Sequence, residues 1–310
     1  MIKIYQKKIR NKPFYYLTEQ IRIGKKYKKI QVYLGKNIPN DLDKFYNKLE
    51  IKEQELVLGN LKEIFVAPNK GIEAEQLEKI EKIRIQQKYF FAKLKPRTLE
   101  NVWRWFAIEF IFQSNAIEGS RLSRNEVVKI IEGKYIKKSL NKKEVIEVQN
   151  SLRAFEFIRS KKFKINQKNI KKLHQIITVN LDVKQGYKKR KIIVNNKETV
   201  SPDDVKKELQ NLIKHYQENK KIAHRFFEAI DFHVRFERIH PFEDGNGRVG
   251  RMILIYMLQQ SGYGLILFKL QNRQKYFKSL DHADFGRKTK LYWFVASVYK
   301  NTYKLLRSKI

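Results

Sequence analysis

His240-Pro241-Phe242-Glu243-Asp244-Gly245-Asn246-Gly247-Arg248-Val249-Gly250-Arg251 separates two strongly helical segments and gathers an imidazole, a carboxylate, glycines and two arginines. Gly245 and Gly247 permit positive φ and close approach of a ligand, and the helix that opens there directs unpaired N–H groups outward. Such an arrangement binds phosphate. Arg248 and Arg251 lie three apart on the opening turns, so both reach one polyphosphate with charge-assisted hydrogen bonds. Asp244 offers hard oxygens for magnesium. His240, four positions earlier, is placed to take a proton from an attacking hydroxyl while the cations hold the leaving phosphates. The set describes phosphoryl or nucleotidyl transfer.

The surrounding chain has 310 residues, 42% of them hydrophobic, which supplies a core and excludes disorder throughout. No cysteine is present, so disulfides, thiol nucleophiles and thiolate metal sites are excluded, as suits a reducing cytoplasm. The opening MIKIYQKKIR has no apolar leader core, and no stretch approaches the roughly 18 apolar residues that span a bilayer. A cytoplasmic protein with no membrane partner is expected.

The 67 Lys+Arg against 32 Asp+Glu give a net charge of +35, which attracts nucleic acid or anionic lipid through counterion release. A/T-rich codon usage accounts for the same excess, since Ile, Asn, Tyr and Phe accompany the lysines. Runs such as Lys188-Lys189-Arg190-Lys191 are scattered and read as solvated surface.

Two β-rich runs, Phe14 to Ile23 and Lys29 to Leu34, flank Gly24-Lys25-Lys26 and predict a hairpin, completed by a further strand from Ile2–Ile9 or by docking. Asn37 to Asn40 reads as a boundary, followed by a helix over 41–56, a strand over 61–66 and punctuation at Pro68 to Gly71. Helical spacing then runs to Pro96. Thr98 is expected to cap a helix that Gly119 ends, and Ser123-Arg124-Asn125-Glu126 is a capping box. Further helices are expected at 142–160, 167–179, 203–218, 221–238, 246–261, 271–282 and 289–306. A second hairpin around Asn195-Asn196, over 186–201, interrupts the helices and reads as a flap.

HPFEDGNGRVGR matches every defined position of the HPFx[D/E]GNGRxxR signature, and in this the chain resembles the Fic (filamentation induced by cyclic AMP) family. The resemblance implies a mainly helical fold and transfer of AMP from ATP to a Tyr, Thr or Ser hydroxyl of a target protein. It makes His240 the general base, Asp244 the Mg2+ ligand, Gly245, Asn246 and Gly247 the anion cradle, and Arg248 and Arg251 the phosphate ligands. Retention of both glycines favours AMP transfer over phosphorylation. Ser114-Asn115-Ala116-Ile117-Glu118-Gly119 fits the family's inhibitory pattern [S/T]xxxE[G/N], with Ser114 and Glu118 on one helix face. Glu118 is thereby implied to pair with Arg251 and obstruct the γ-phosphate, in a chain that inhibits itself. A glutamate near the α-phosphate can also orient water, which makes removal of AMP from a modified target a further expectation. The flap is where relatives align a target segment by strand addition, with Gly186, Arg190 and Val194 fitting its loose pattern. Tyr276 stands where a base is stacked, and Asp284 departs from the family's asparagine at the adenine. Relatives of this kind are frequently homodimers.

Other residues take plainer readings. His174, His215, His224 and His282 are surface or satisfied core, His233 packs, and Trp103, Trp105, Phe106 and Phe110 form core. The expected fold is mainly α, a Fic-type helical bundle with a β-hairpin flap plus a small N-terminal β-rich module. Residues 1–70 form the basic module. Residues 71–310 form the Fic region, with inhibitory helix 98–119, flap 186–201 and catalytic loop 240–251. The rival function is a nucleic-acid-binding regulator that reads through the N-terminal module and keeps the Fic core as an auxiliary scaffold.

Overall fold

The computed structural model describes residues 2–24, 26–64, 73–134, 139–194, 196–219 and 224–309. The chain is mainly α-helical and divides into two compact units. The first comprises residues 1–100, 222–224 and 262–264, and the remainder forms the second.

The first unit opens with three antiparallel strands, β1 (Lys3–Ile9), β2 (Lys12–Ile23) and β3 (Lys26–Gly35), in the order β1-β2-β3. The expected hairpin thus gains its third strand from the N-terminus. Alternation along β2 and β3 turns Leu17, Ile21, Ile23, Val32 and Leu34 to one face. That face packs on Phe45, Leu49 and Val57 of helix α1 (Asp43–Leu58) and Ile85 and Tyr89 of α3 (Ala74–Lys93). Between them lies the short helix α2 (Leu61–Ile64), so of the strand expected over 61–66, residues 61–64 are helical and the rest lies outside the described residues. The expected punctuation at Pro68 to Gly71 lies outside the described residues. Because α3 belongs to the first unit, the division falls at residue 100 and not at 70.

Helix α4 (Pro96–Ile117) starts at proline, whose missing N–H is among those a helix start leaves unpaired. Thr98 therefore lies inside the first turn and does not cap it. Gly119 at φ +105 ends the segment as expected. The capping box at Ser123 and Glu126 starts α5 (Arg124–Ile131). In the second unit α6 (Lys142–Arg159), α7 (Gln167–Thr178), α8 (Val205–Asn219), α9 (Arg225–Ile239) and α10 (Asn246–Gln260) follow. Helices α11 (Arg273–Asp284) and α12 (Thr289–Arg307) complete it. The central pair is α9 and α10, both buried on most sides, and α10 also packs on α6 and α7. Phe106 and Phe110 are core, whereas Trp103 and Trp105 are half-buried and so rim the core they were expected to fill. The hairpin β4 (Ile193–Val194) and β5 (Lys197–Glu198) turns through Asn196 at φ 60, and Asn195 lies outside the described residues.

Candidate active site

The loop between α9 and α10 is fixed from below by apolar packing and from within by one amide. Phe242 is fully buried, and the His174 ring stacks on it at 3.8 Å between centroids. The same imidazole places Nε2 3.1 Å from the Asp244 carbonyl oxygen. Asn246 closes the loop, its Oδ1 accepting from the Phe242 N–H at 2.9 Å and its Nδ2 donating to the Phe242 carbonyl at 2.8 Å. The Asn246 side chain is thus buried and committed to Phe242, so any part it takes in an anion cradle falls to its backbone N–H at the start of α10. Gly245 turns at φ +80 and lets α10 begin with its amides free of a side-chain cap.

His240 follows the last residue of α9 in the left-handed region, at φ 48, with its N–H donating to the Phe236 carbonyl at 2.9 Å. Burial, helped by the cation of Lys188, lowers its pKa to about 4, so the imidazole is neutral at pH 7. Its Nδ1 is buried without a partner among the described residues. Asp244 has a side chain 54% exposed, and its Oδ1 accepts from the Gly245 N–H at 2.5 Å.

The arginines of α10 are nearly enclosed. Arg248 pairs with Glu147 of α6 at 3.1 Å and stands 3.8 Å from Asp244. Arg251, 1% exposed, donates from Nη2 to Glu118 Oε1 at 2.7 Å and to the Ser114 carbonyl at 2.9 Å, and from Nε to Ser114 Oγ at 3.0 Å. Burial opposes the Arg251 charge, and Glu118 beside it more than offsets this, raising its pKa. Glu118 also lies over Gly247, where an added Cβ would collide with its carboxylate.

Against known proteins, the Fic/DOC family profile matches residues 164–258, which contain the whole of this loop and both arginines. The region that resembles the Fic/DOC family is thus the one that carries this loop. "Protein adenylyltransferase Fic" of Nematostella vectensis is 25% identical over 241 residues, covering 75% of this chain and 56% of that protein. A "Probable protein adenylyltransferase" of Aquifex aeolicus is 30% identical over 193 residues, covering 61% of this chain and 58% of its own. The chain therefore spans a little over half the length of these curated relatives. Among solved structures, a Fic domain containing signaling protein from Bacteroides thetaiotaomicron superposes with a TM-score of 0.68 at 22% identity, covering 74% of this chain and 95% of that one. Fic-1 from C. elegans gives 0.68 at 19% identity, covering 86% and 84%. These likenesses establish the fold.

In the second unit, the hairpin, α9 and α11 enclose a cavity of about 220 Å³ lined by Val194, Lys197, Thr199, Glu237, Phe277 and Asp284, among others. Asp284 is thus at a cavity wall, its pKa raised by burial against the pull of Lys197 3.8 Å away. Tyr276 is not. Its ring is 1% exposed among Phe268, Phe277 and Phe294, and its hydroxyl lies 2.6 Å from His233 Nε2, so no ring face is open to a base. The neighbouring Phe277 takes the lining position.

Sequence reading missed three groups. Lys188, set among cations that looked solvated, is 2% exposed and donates to Thr199 Oγ1 at 2.6 Å and the Ile239 carbonyl at 3.1 Å, with its pKa lowered to about 8 by burial. His174 was read as ordinary core and supports the loop between α9 and α10. Glu237, three residues before His240, has its pKa raised to about 8, chiefly by burial. Only the last carried a sequence signal, a glutamate on the inward face of α9.

Proposed function

We propose that this Fic domain transfers AMP from ATP to a Tyr, Thr or Ser hydroxyl of a target protein and is restrained by Glu118. The observation that carries the reading is a neutral His240 beside the free amides of α10, with Arg248 and Arg251 opening from the same helix. His240 takes the hydroxyl proton, the hydroxyl oxygen bonds to the α-phosphorus, the bond to the β-phosphate oxygen breaks, and pyrophosphate leaves. Arg248 and Arg251 hold the departing charge. The relatives named protein adenylyltransferases support the same chemistry.

Among the described residues no group of three His, Cys, Asp or Glu forms a metal cage. Magnesium keeps water and phosphate oxygens and needs one or two carboxylates, so the exposed Asp244 fits it. The ion, when bound with ATP, neutralises phosphate charge. Glu118 occupies the Arg251 guanidinium that a terminal phosphate needs, which makes the inhibitory segment a brake in the same chain. The same carboxylate, turned to a water, serves removal of AMP. The edge of the 193–198 hairpin, with Ile193 66% exposed, takes the target segment as an added strand.

The test is transfer from α-labelled against γ-labelled ATP. Label from the α position alone supports AMP transfer, and label from γ alone makes the domain a kinase.

A further inference from the structure

The first unit carries a surface that the transferase reading leaves unused. One face of its sheet packs on α1 and α3, and the other is open. Register places Tyr5 opposite Tyr16 and Tyr16 opposite Tyr33, so three tyrosines form a row across all three strands on the open face. Tyr5 is 44% and Tyr33 47% exposed, and the Tyr16 and Tyr33 centroids are 5.3 Å apart. The same alternation puts Lys3 and Lys7 on this face from β1 and Lys29 from β3, with Lys29 Nζ 4.3 Å above the Tyr5 ring. No acidic residue stands on the face among the described residues. The one acid in the strands, Glu19, points to the helices and pairs with Lys88 at 3.5 Å.

We propose that this open face binds single-stranded nucleic acid, with bases stacked along the Tyr5–Tyr16–Tyr33 row and phosphates on Lys3, Lys7 and Lys29. Stacking on aromatic rings and cation contacts to the backbone are the two components of such sites, and here they share one face. The row spans two strand spacings, roughly 10 Å, which suits two or three nucleotides. Codon bias would raise lysine and tyrosine everywhere; it does not explain a face that holds both and excludes acid. The proposal is independent of the transferase reading.

The test is anisotropy of a labelled oligothymidine strand with the full chain across a salt series. Because the whole chain is strongly basic, charge-neutral variants decide. Tyr5→Leu/Tyr33→Leu should weaken binding by at least about tenfold with an unchanged salt slope. Tyr5→Phe/Tyr33→Phe should keep it, and both pairs are exposed enough to leave the melting temperature unaltered. Lys3→Gln/Lys7→Gln/Lys29→Gln should flatten the slope of log K against log salt by about 2, at about 0.7 per phosphate contact on a single strand. Wild-type affinity in the leucine pair, loss of binding in the phenylalanine pair, or tighter binding of duplex DNA or of phosphatidylserine vesicles would each overturn the proposal.

Discussion

Glu118 Oε1 accepts from the Arg251 guanidinium at 2.7 Å, and Ser114, one turn earlier on α4, holds the same guanidinium through both its hydroxyl and its carbonyl. Ser114 in the last turn of α4 and Glu118 just past its end therefore fix the second arginine of α10. They do so unequally: Ser114 is buried, whereas the Glu118 side chain is 36% exposed and open to displacement.

Glu118→Gly should raise AMP transfer by at least about fivefold, the lower range for release of a coupled inhibitory contact. Arg251 keeps its orientation through Ser114, so phosphate binding survives. Ser114→Ala should lower inhibition less, because the carbonyl contact and Glu118 remain. Initial rates of label incorporation check the order Glu118→Gly, Ser114→Ala, wild type.

The protonation of His240 sets a pH profile. Its pKa of about 4 lies below the ordinary imidazole value, so the base form is kept as pH falls and the acid limb of transfer should lie near pH 4 to 5, not 6.5. Lys188 contributes to that lowering. Lys188→Met should therefore move the acid limb upward toward 6.5, as read from kcat/KM against pH in the Glu118→Gly background.

Asn246 joins both backbone groups of Phe242 while buried. Asn246→Ala leaves a buried donor and acceptor unpaired and should destabilise the chain by about 2 kcal/mol or more. Thermal unfolding should show the loss, and transfer should fall with His240 still in place, because the loop that presents it is no longer closed.

Much of this site was legible because its chemistry is local. The loop 240–251 is one continuous segment, so residue type and spacing alone brought forward the candidate base, carboxylate and arginines. The Ser114–Glu118 pair was legible through its four-residue spacing and the family resemblance, although the contact to Arg251 is long-range. Lys188 and His174 were not legible, since burial of a lysine in a basic run, or the stacking of a histidine on a distant Phe242, is decided by tertiary packing. Tyr276 and Phe277 are adjacent on α11, and only the helix's rotation decides which ring lines the cavity. The expected strand at 61–66 failed over 61–64 for a similar reason, since a brief run with few apolar residues is ambiguous between strand and helix.

Glu237 links the site to stability. Its carboxyl sits among Arg251, Glu118 and Asp284, with a pKa raised to about 8. A group raised in the folded state contributes stability that is full below its unfolded pKa and is lost as pH rises through the folded one. Its share of stability should decline between about pH 4.5 and pH 8. Glu237→Gln should flatten that decline, as seen in denaturant midpoints across the range.

The central claim is that His240 is the base of a brake-controlled AMP transfer. The most direct measurement is α-label incorporation by Glu118→Gly against Glu118→Gly/His240→Ala, with ATP, magnesium and self-modification as readout. The account predicts strong labelling in the first and a loss of about 100-fold or more in the second, the scale of a missing general base. Equal labelling in both would contradict it.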